Sequence, residues 1–255
     1  MPRLAFFAAS IVRGLRWQIL LALAAMAGAS LAETSPAAPS ESIDFRDGWR
    51  FTRGDVEAAA DVEFDDGSWE EVRVPHDWAI AGPFDPEEPS GHAGKLPWRG
   101  VGWYRKTFRL DRAAGDRVYL DFDGVMAFPQ VYVNGKLAGE WDYGYTPFRI
   151  DATDLVDLQG ENVVAVRVDT TDLGTRWYPG AGIYRGVTLE LRRPVHVAQW
   201  GVFVTTPEVT DDAASVAIEA TIENHYQSPV EAEVEFVLRD PQNEQVARRS
   251  FELSL

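Results

Sequence analysis

The sequence predicts an all-β protein, one β-sandwich followed by an incomplete immunoglobulin-like sandwich. Three observations predict it. Short runs of alternating apolar and polar residues recur, about eight to ten of them before residue 193, with turn signals between them. No stretch of helical period runs longer than a turn or two. Asn134-Gly135, the strongest short hairpin signal, sits between Val131-Tyr132-Val133 and Lys136-Leu137-Ala138.

Residues 1–32 read as a signal peptide. Arg3, Arg13 and Arg16 supply the positive segment, Trp17 to Ala29 the apolar run, and Ser30-Leu31-Ala32 the small residues of a cleavage site. The apolar run is short for a span of about 20 residues. No stable membrane anchor is therefore expected, and the protein is expected to be exported to the periplasm or the exterior. Residues 33–42, of Ala-Pro-Ser composition, read as a linker. The first sandwich is placed at 43–193. Its strands are expected at Trp49 to Thr52, Glu71 to Val74, Gly102 to Leu110, Val118 to Phe122 and Gln130 to Val133, then Phe148 to Ile150, Val163 to Val168 and Val187 to Leu191. Pro75 to Trp98 is a long loop with five prolines. Asp151 to Leu158 is the best helical candidate, and it is brief. Arg192-Arg193-Pro194 marks a boundary. Alternation resumes at Val195 to Val204, Ser215 to Ile222 and Val230 to Leu238, and 194–255 reads as a truncated immunoglobulin-like domain. About 60 residues follow the boundary, where a complete domain of that type takes about 100.

Composition narrows the function. The 255 residues are 45% hydrophobic, enough for a proper core. Lys and Arg total 24 against 40 Asp and Glu, a net charge of −16, which disfavours nucleic acid and anionic membrane surfaces as partners. A neutral ligand such as a sugar is compatible with it, and a homo-oligomer is also compatible with the sequence. The absence of Cys excludes disulfides, a thiol nucleophile and a thiolate metal site. The four His, at positions 76, 92, 196 and 225, show no ligand spacing such as His-x3-His, so no metal and no cofactor is expected.

The most informative segment is Arg176-Trp177-Tyr178-Pro179-Gly180-Ala181-Gly182-Ile183-Tyr184-Arg185, between two expected strands. Binding residues concentrate on loops held by rigid strands. A Trp beside an Arg offers a sugar a flat apolar face and a fixed donor fork. Aromatics that merely plug one end of a sandwich account for the same pattern.

Four motifs carry a family resemblance. Val74-Pro75-His76-Asp77-Trp78 is similar to a Leu/Val-Pro-His-Asp-Trp segment of glycoside hydrolase family 2, the β-galactosidase and β-glucuronidase group. Gly100 to Phe108 resembles the strand entering that family's sandwich. Phe122-Asp123-Gly124-Val125 followed by Val131-Tyr132-Val133-Asn134-Gly135 resembles its Val-Asn-Gly hairpin region. Arg176 to Arg185 resembles the Ser-Arg-Trp-Tyr-x-Gly-x-Gly-Ile-Tyr-Arg signature of bacterial β-galactosidases. The four occur in the family's order between Ile43 and about Arg193.

The resemblance implies a jelly-roll sugar-binding domain, then an immunoglobulin-like domain, then a (β/α)8 barrel of about 250 residues. The barrel is expected as a partner lying outside this sequence. It also implies a retaining glycosidase whose two carboxylates, about 5–5.5 Å apart, sit on that barrel. No catalytic residue is therefore expected here, and the paired acids Asp65-Asp66 and Glu87-Glu88 read as solvated turns. Substrate-binding roles fall on Asp77, Arg176 and Trp177. Asp77 either accepts bonds from sugar hydroxyls or caps its loop by binding backbone N–H groups. Arg176 stands where several family members carry a sugar-contacting Asp. It either donates to hydroxyls or braces the loop through Asp77 or Asp172. Trp78 is expected to pack.

Overall fold

The computed structural model describes residues 3–4, 9–10, 40–87, 96, 98–112, 115–172 and 177–255. In chain order the strands are β1 (Arg3–Leu4), β2 (Ala9–Ser10), β3 (Glu41–Asp44), β4 (Trp49–Arg53), β5 (Glu70–Val72), β6 (Val101–Arg109), β7 (Arg117–Phe122) and β8 (Gln130–Val133). Then come β9 (Lys136–Glu140), β10 (Phe148–Asp151), β11 (Glu161–Asp169), β12 (Val187–Arg192), β13 (Val195–Val209), β14 (Ala214–Asn224), β15 (Glu231–Arg239) and β16 (Gln245–Ser254). The fold is all-β and every strand pairing is antiparallel. No helix among the described residues is long and apolar enough to cross a membrane.

The chain divides into two compact units, Pro39–Arg193 and Met1–Ala38 with Pro194–Leu255. In the first, a sheet of order β10-β7-β12-β3 faces one of order β5-β4-β6-β11-β8-β9. Strand alternation explains the core between them. Leu120, Phe122, Phe148, Val187, Leu189 and Leu191 point inward from the smaller sheet, and Trp49, Phe51, Tyr104, Val131, Val133, Val164 and Val166 from the larger one. β3 starts at Glu41 and pairs with β12, so the sheet takes in residues that composition alone reads as linker.

Strands β6 and β11 are buried on both faces, which hides the alternation expected of β6. Residues 55–69 fold back over the outer face. There Trp103 and Ala165 pack with Ala59 and Trp69. Arg105 points the same way and is fully buried. Its guanidinium pairs with Asp66 at 2.9 Å and donates to the carbonyls of Ala59 and Asp61. Arg carries several donors in a planar fork, so one side chain satisfies a turn that would otherwise leave its carbonyls orphaned. Asp65 behaves as a turn residue, accepting from Gly67 N, but Asp66 is an ion-pair partner rather than a solvated acid.

The Asn134-Gly135 hairpin forms, with φ +49 and +78. Asn134 does more than turn the chain. Its side chain donates to Leu155 O and Asn162 Oδ1 and accepts from Val163 N, each at 2.8 Å. Asp151 to Leu158, the helical candidate, is a run of turns: Asp151 accepts from Thr153 N, and Ala152 O from Leu155 N and Val156 N.

In the other unit β14 pairs with β13, β1 and β2, and β15 pairs with β16. Val216 and Ile218 of β14 share a small apolar niche with Phe236 and Leu238 of β15 and Ala247 of β16.

Replacing Arg105 with Met should destabilise the protein by about 3 kcal/mol, the low end for breaking a buried pair, because Asp66 keeps some contact with water. Urea unfolding of both proteins measures this. An unchanged midpoint would show that residues 55–69 do not need the guanidinium.

Candidate functional site

The loop after β11 is held in place by its backbone. Residues 76–78 run alongside residues 181–183, with His76 N donating to Ile183 O at 2.7 Å and Trp78 N to Ala181 O at 3.1 Å. On the other side Gly182 and Met126 exchange both hydrogen bonds, at 2.6 and 2.9 Å. Three segments therefore meet at Gly182, whose φ is +122. A Cβ there would lie 2.2 Å from the Tyr104 hydroxyl and 2.7 Å from the His76 carbonyl. Only Gly fits such a crossing.

Asp77 tightens it. Its Oδ1 accepts from the Tyr178 hydroxyl at 2.6 Å, and from the N–H groups of Ala79 at 3.1 Å, Ala181 at 3.2 Å and Ile80 at 3.3 Å. One carboxylate oxygen thus caps its own loop and the facing one. Burial, then the bond to Asp77, pushes the Tyr178 hydroxyl far above its ordinary value, so it stays a donor. Among the described residues no bond to Oδ2 is formed, and a Cβ on Gly180 would lie 3.3 Å from it.

His76 and Trp78 belong to the frame. Trp78 is buried, stacks on Phe51 at 5.4 Å and donates to Trp98 O. The His76 Nδ1 lies 2.9 Å from the Tyr104 hydroxyl. Burial holds His76 below its ordinary value of 6.5.

Trp177 stands outward, 57% exposed, and its indole N–H donates to the Tyr145 hydroxyl at 2.7 Å. Tyr143, 58% exposed, meets Tyr145 edge-on at 5.6 Å. Tyr184 anchors that segment by donating to Gly144 O at 2.8 Å. The result is an exposed aromatic face made of Trp177, Tyr145 and Tyr143. Arg176 lies outside the described residues, as does Glu88 of the second acid pair. The two tyrosines were not singled out in the sequence; their signal is the Tyr143-Gly144-Tyr145 repeat in a turn.

Beside Tyr143 in the chain, Trp141 and Asp142 help line a cleft of about 350 Å³ with Phe128, Gln130, Glu140, Arg167, Asp169 and Asp172. Arg167 is committed to Asp55 and Asp169. The cleft wall is therefore acidic and partly aromatic. The described residues bring one set of metal-ligand types together, His196, Glu223 and His225, and it lies in the other unit.

Residues 46–194 match the family described as "Glycosyl hydrolases family 2, sugar binding domain". The chain belongs to glycosyl hydrolase family 2. It is 40% identical over 216 residues to a Bacteroides ovatus protein named "Beta-galactosidase BoGH2A", covering 84% of this chain and 25% of that one. To a "Beta-galactosidase" of Thermoanaerobacter pseudethanolicus it is 32% identical, over 71% of this chain and 24% of that protein. A solved family 2 member from Bacteroides cellulosilyticus matches with a TM-score of 0.77 and 35% identity, over 84% of this chain and 28% of that one. A solved "beta-glucuronidase from glycoside hydrolase family 2" matches with a TM-score of 0.79 and 26% identity, over 88% and 26%. The chain thus spans about a quarter of the length of these family 2 relatives.

Two outcomes test the frame. Tyr178→Phe should cost about 1.5–3 kcal/mol in chemical denaturation, the range for a hydrogen bond to a charged group. An unchanged stability would remove Asp77 from its central place. His76 supplies a pH dependence. Its folded value is depressed, so the unfolded chain binds more protons below 6.5. Its contribution is fully present above 6.5 and is lost as pH falls toward the folded value. His76→Gln should flatten that part of the stability–pH curve between neutral and mildly acidic pH, and parallel curves would refute it.

Proposed function

We propose that this chain is the sugar-binding, non-catalytic portion of an exported retaining glycoside hydrolase of β-galactosidase type. The observation that carries the reading is the exposed face of Trp177, Tyr145 and Tyr143, from two segments joined by the Trp177–Tyr145 hydrogen bond, the first leading into backbone-bonded residues 181–183. A sugar ring presents apolar C–H groups on one face and hydroxyls on its rim, and such an aromatic surface receives the first. Asp77 Oδ2 and the guanidinium of Arg176 are the groups proposed for the hydroxyls. Bond cleavage falls to two carboxylates on a (β/α)8 barrel, as retaining glycosidases require.

A neutral glycoside suits the site better than a uronate. The chain carries −16 overall, and Glu140, Asp142 and Asp172 line the cleft that begins next to Tyr143 in the chain, where Arg167 offsets Asp169. A uronate carboxylate would meet repulsion there. Export is supported by the apolar run Trp17 to Ala29, preceded by Arg3, Arg13 and Arg16 and followed by Ser30-Leu31-Ala32.

In the full-length enzyme, Trp177→Ala should lower kcat/KM for a β-galactoside by about tenfold to a hundredfold, the loss of a buried aromatic contact. Arg176→Ala should act in the same direction. Steady-state kinetics on folded variants measures both, and wild-type values would remove this loop from the sugar subsite.

A further inference from the structure

His196 is remote in sequence from Glu223 and His225, and the three side chains are close in space. His196 on β13 pairs in register with Glu223 on β14. His225 follows two residues after Glu223, one position past the end of β14. The Glu223 Oε2 lies 3.4 Å from His196 Nε2 and 3.1 Å from His225 Nε2. All three ligand atoms fall within 4.8 Å of one another. The two imidazoles are nearly parallel, 10° apart at 5.3 Å, and both turn the same nitrogen toward one carboxylate.

The two distances to the carboxylate are those of a coordination sphere. Ligands about 2.0–2.1 Å from a tetrahedral zinc ion are separated by about 3.3–3.4 Å. Two imidazoles and one carboxylate are a common zinc donor set, with water completing the fourth position. The ligands are also anchored. The His196 side chain is buried within the unit. His225 N donates to Pro194 O at 3.0 Å, and Asn224, between two of the ligands, donates to Ser228 O and Leu255 O. His225 is the more exposed of the two histidines.

We propose that His196, Glu223 and His225 bind one zinc ion that staples the start of β13 to the end of β14. The ion would cross-link two strands in a chain with no cysteine for a disulfide. Its effect is structural and leaves the sugar face of the other unit untouched.

The test uses the full-length protein, stripped by chelator, reloaded with zinc and dialysed. Metal content per chain is compared between wild type, Glu223→Gln and His225→Ala. Each variant should hold one zinc fewer than wild type, with affinity at this site down by at least about 100-fold, more than the loss of an outer-shell partner costs. Comparing variants isolates this site from any other ion in the enzyme. Zinc should raise the melting temperature of wild type more than that of either variant. His225→Cys, which supplies a zinc-binding thiolate, should retain the ion. Equal zinc content in wild type and both variants would overturn the proposal and leave a histidine–carboxylate ion pair. Circular dichroism of His225→Ala, a turn substitution, shows whether the variant is folded.

Discussion

The arrangement of the first unit depends on one steric constraint, the crossing of three chain segments at Gly182. The segment after β5, the segment after β7 and the loop after β11 converge there over the Tyr104 hydroxyl. Residues 181–183 bond both of the other segments through main-chain groups. The gain from these bonds is modest per bond, but leaving buried N–H and C=O groups unmet is expensive. Asp77 completes the accounting by placing one negative oxygen where four donors converge. The loop is consequently a rigid element of the sandwich.

A second polar device works on the opposite side of β6. Burying an arginine costs several kcal/mol unless it is paired and its donors are met. Arg105 meets that condition with Asp66 and the backbone of residues 59–61. The central strands can therefore be enclosed on both faces without a third sheet. Trp103 reinforces this cover through its N–H to Asp55, whose carboxyl the Arg167 guanidinium holds below its usual range.

Much of this was legible in the sequence. The strand series, the Asn134-Gly135 hairpin and the packing role of Trp78 follow from alternation and turn chemistry, which are local. The family was legible because four motifs recur in order. What escaped was non-local. Alternation in β6 failed as a guide because residues 55–69 cover its outer face. Asp151 to Leu158 carried helical spacing but closes in turns held by side-chain caps. Tyr143 and Tyr145 gain meaning only beside Trp177, a residue more than thirty positions away. The His196, Glu223 and His225 group is invisible to spacing rules because a β-ladder, rather than a helix turn, aligns it.

The backbone bonding of the Trp177 to Arg185 loop has a consequence for how such a protein changes over time. The residues that fix the loop, Gly182, Ala181 and Ile183, are small or buried and work mainly through main-chain atoms. Trp177 faces outward and bonds through its side chain to Tyr145. The outward side chain and the groups that fix the loop are thus different parts of the same short segment. Exchanging Trp177 for another aromatic leaves the backbone bonds of residues 181–183 in place. A frame of this kind keeps its shape while the residue it displays changes.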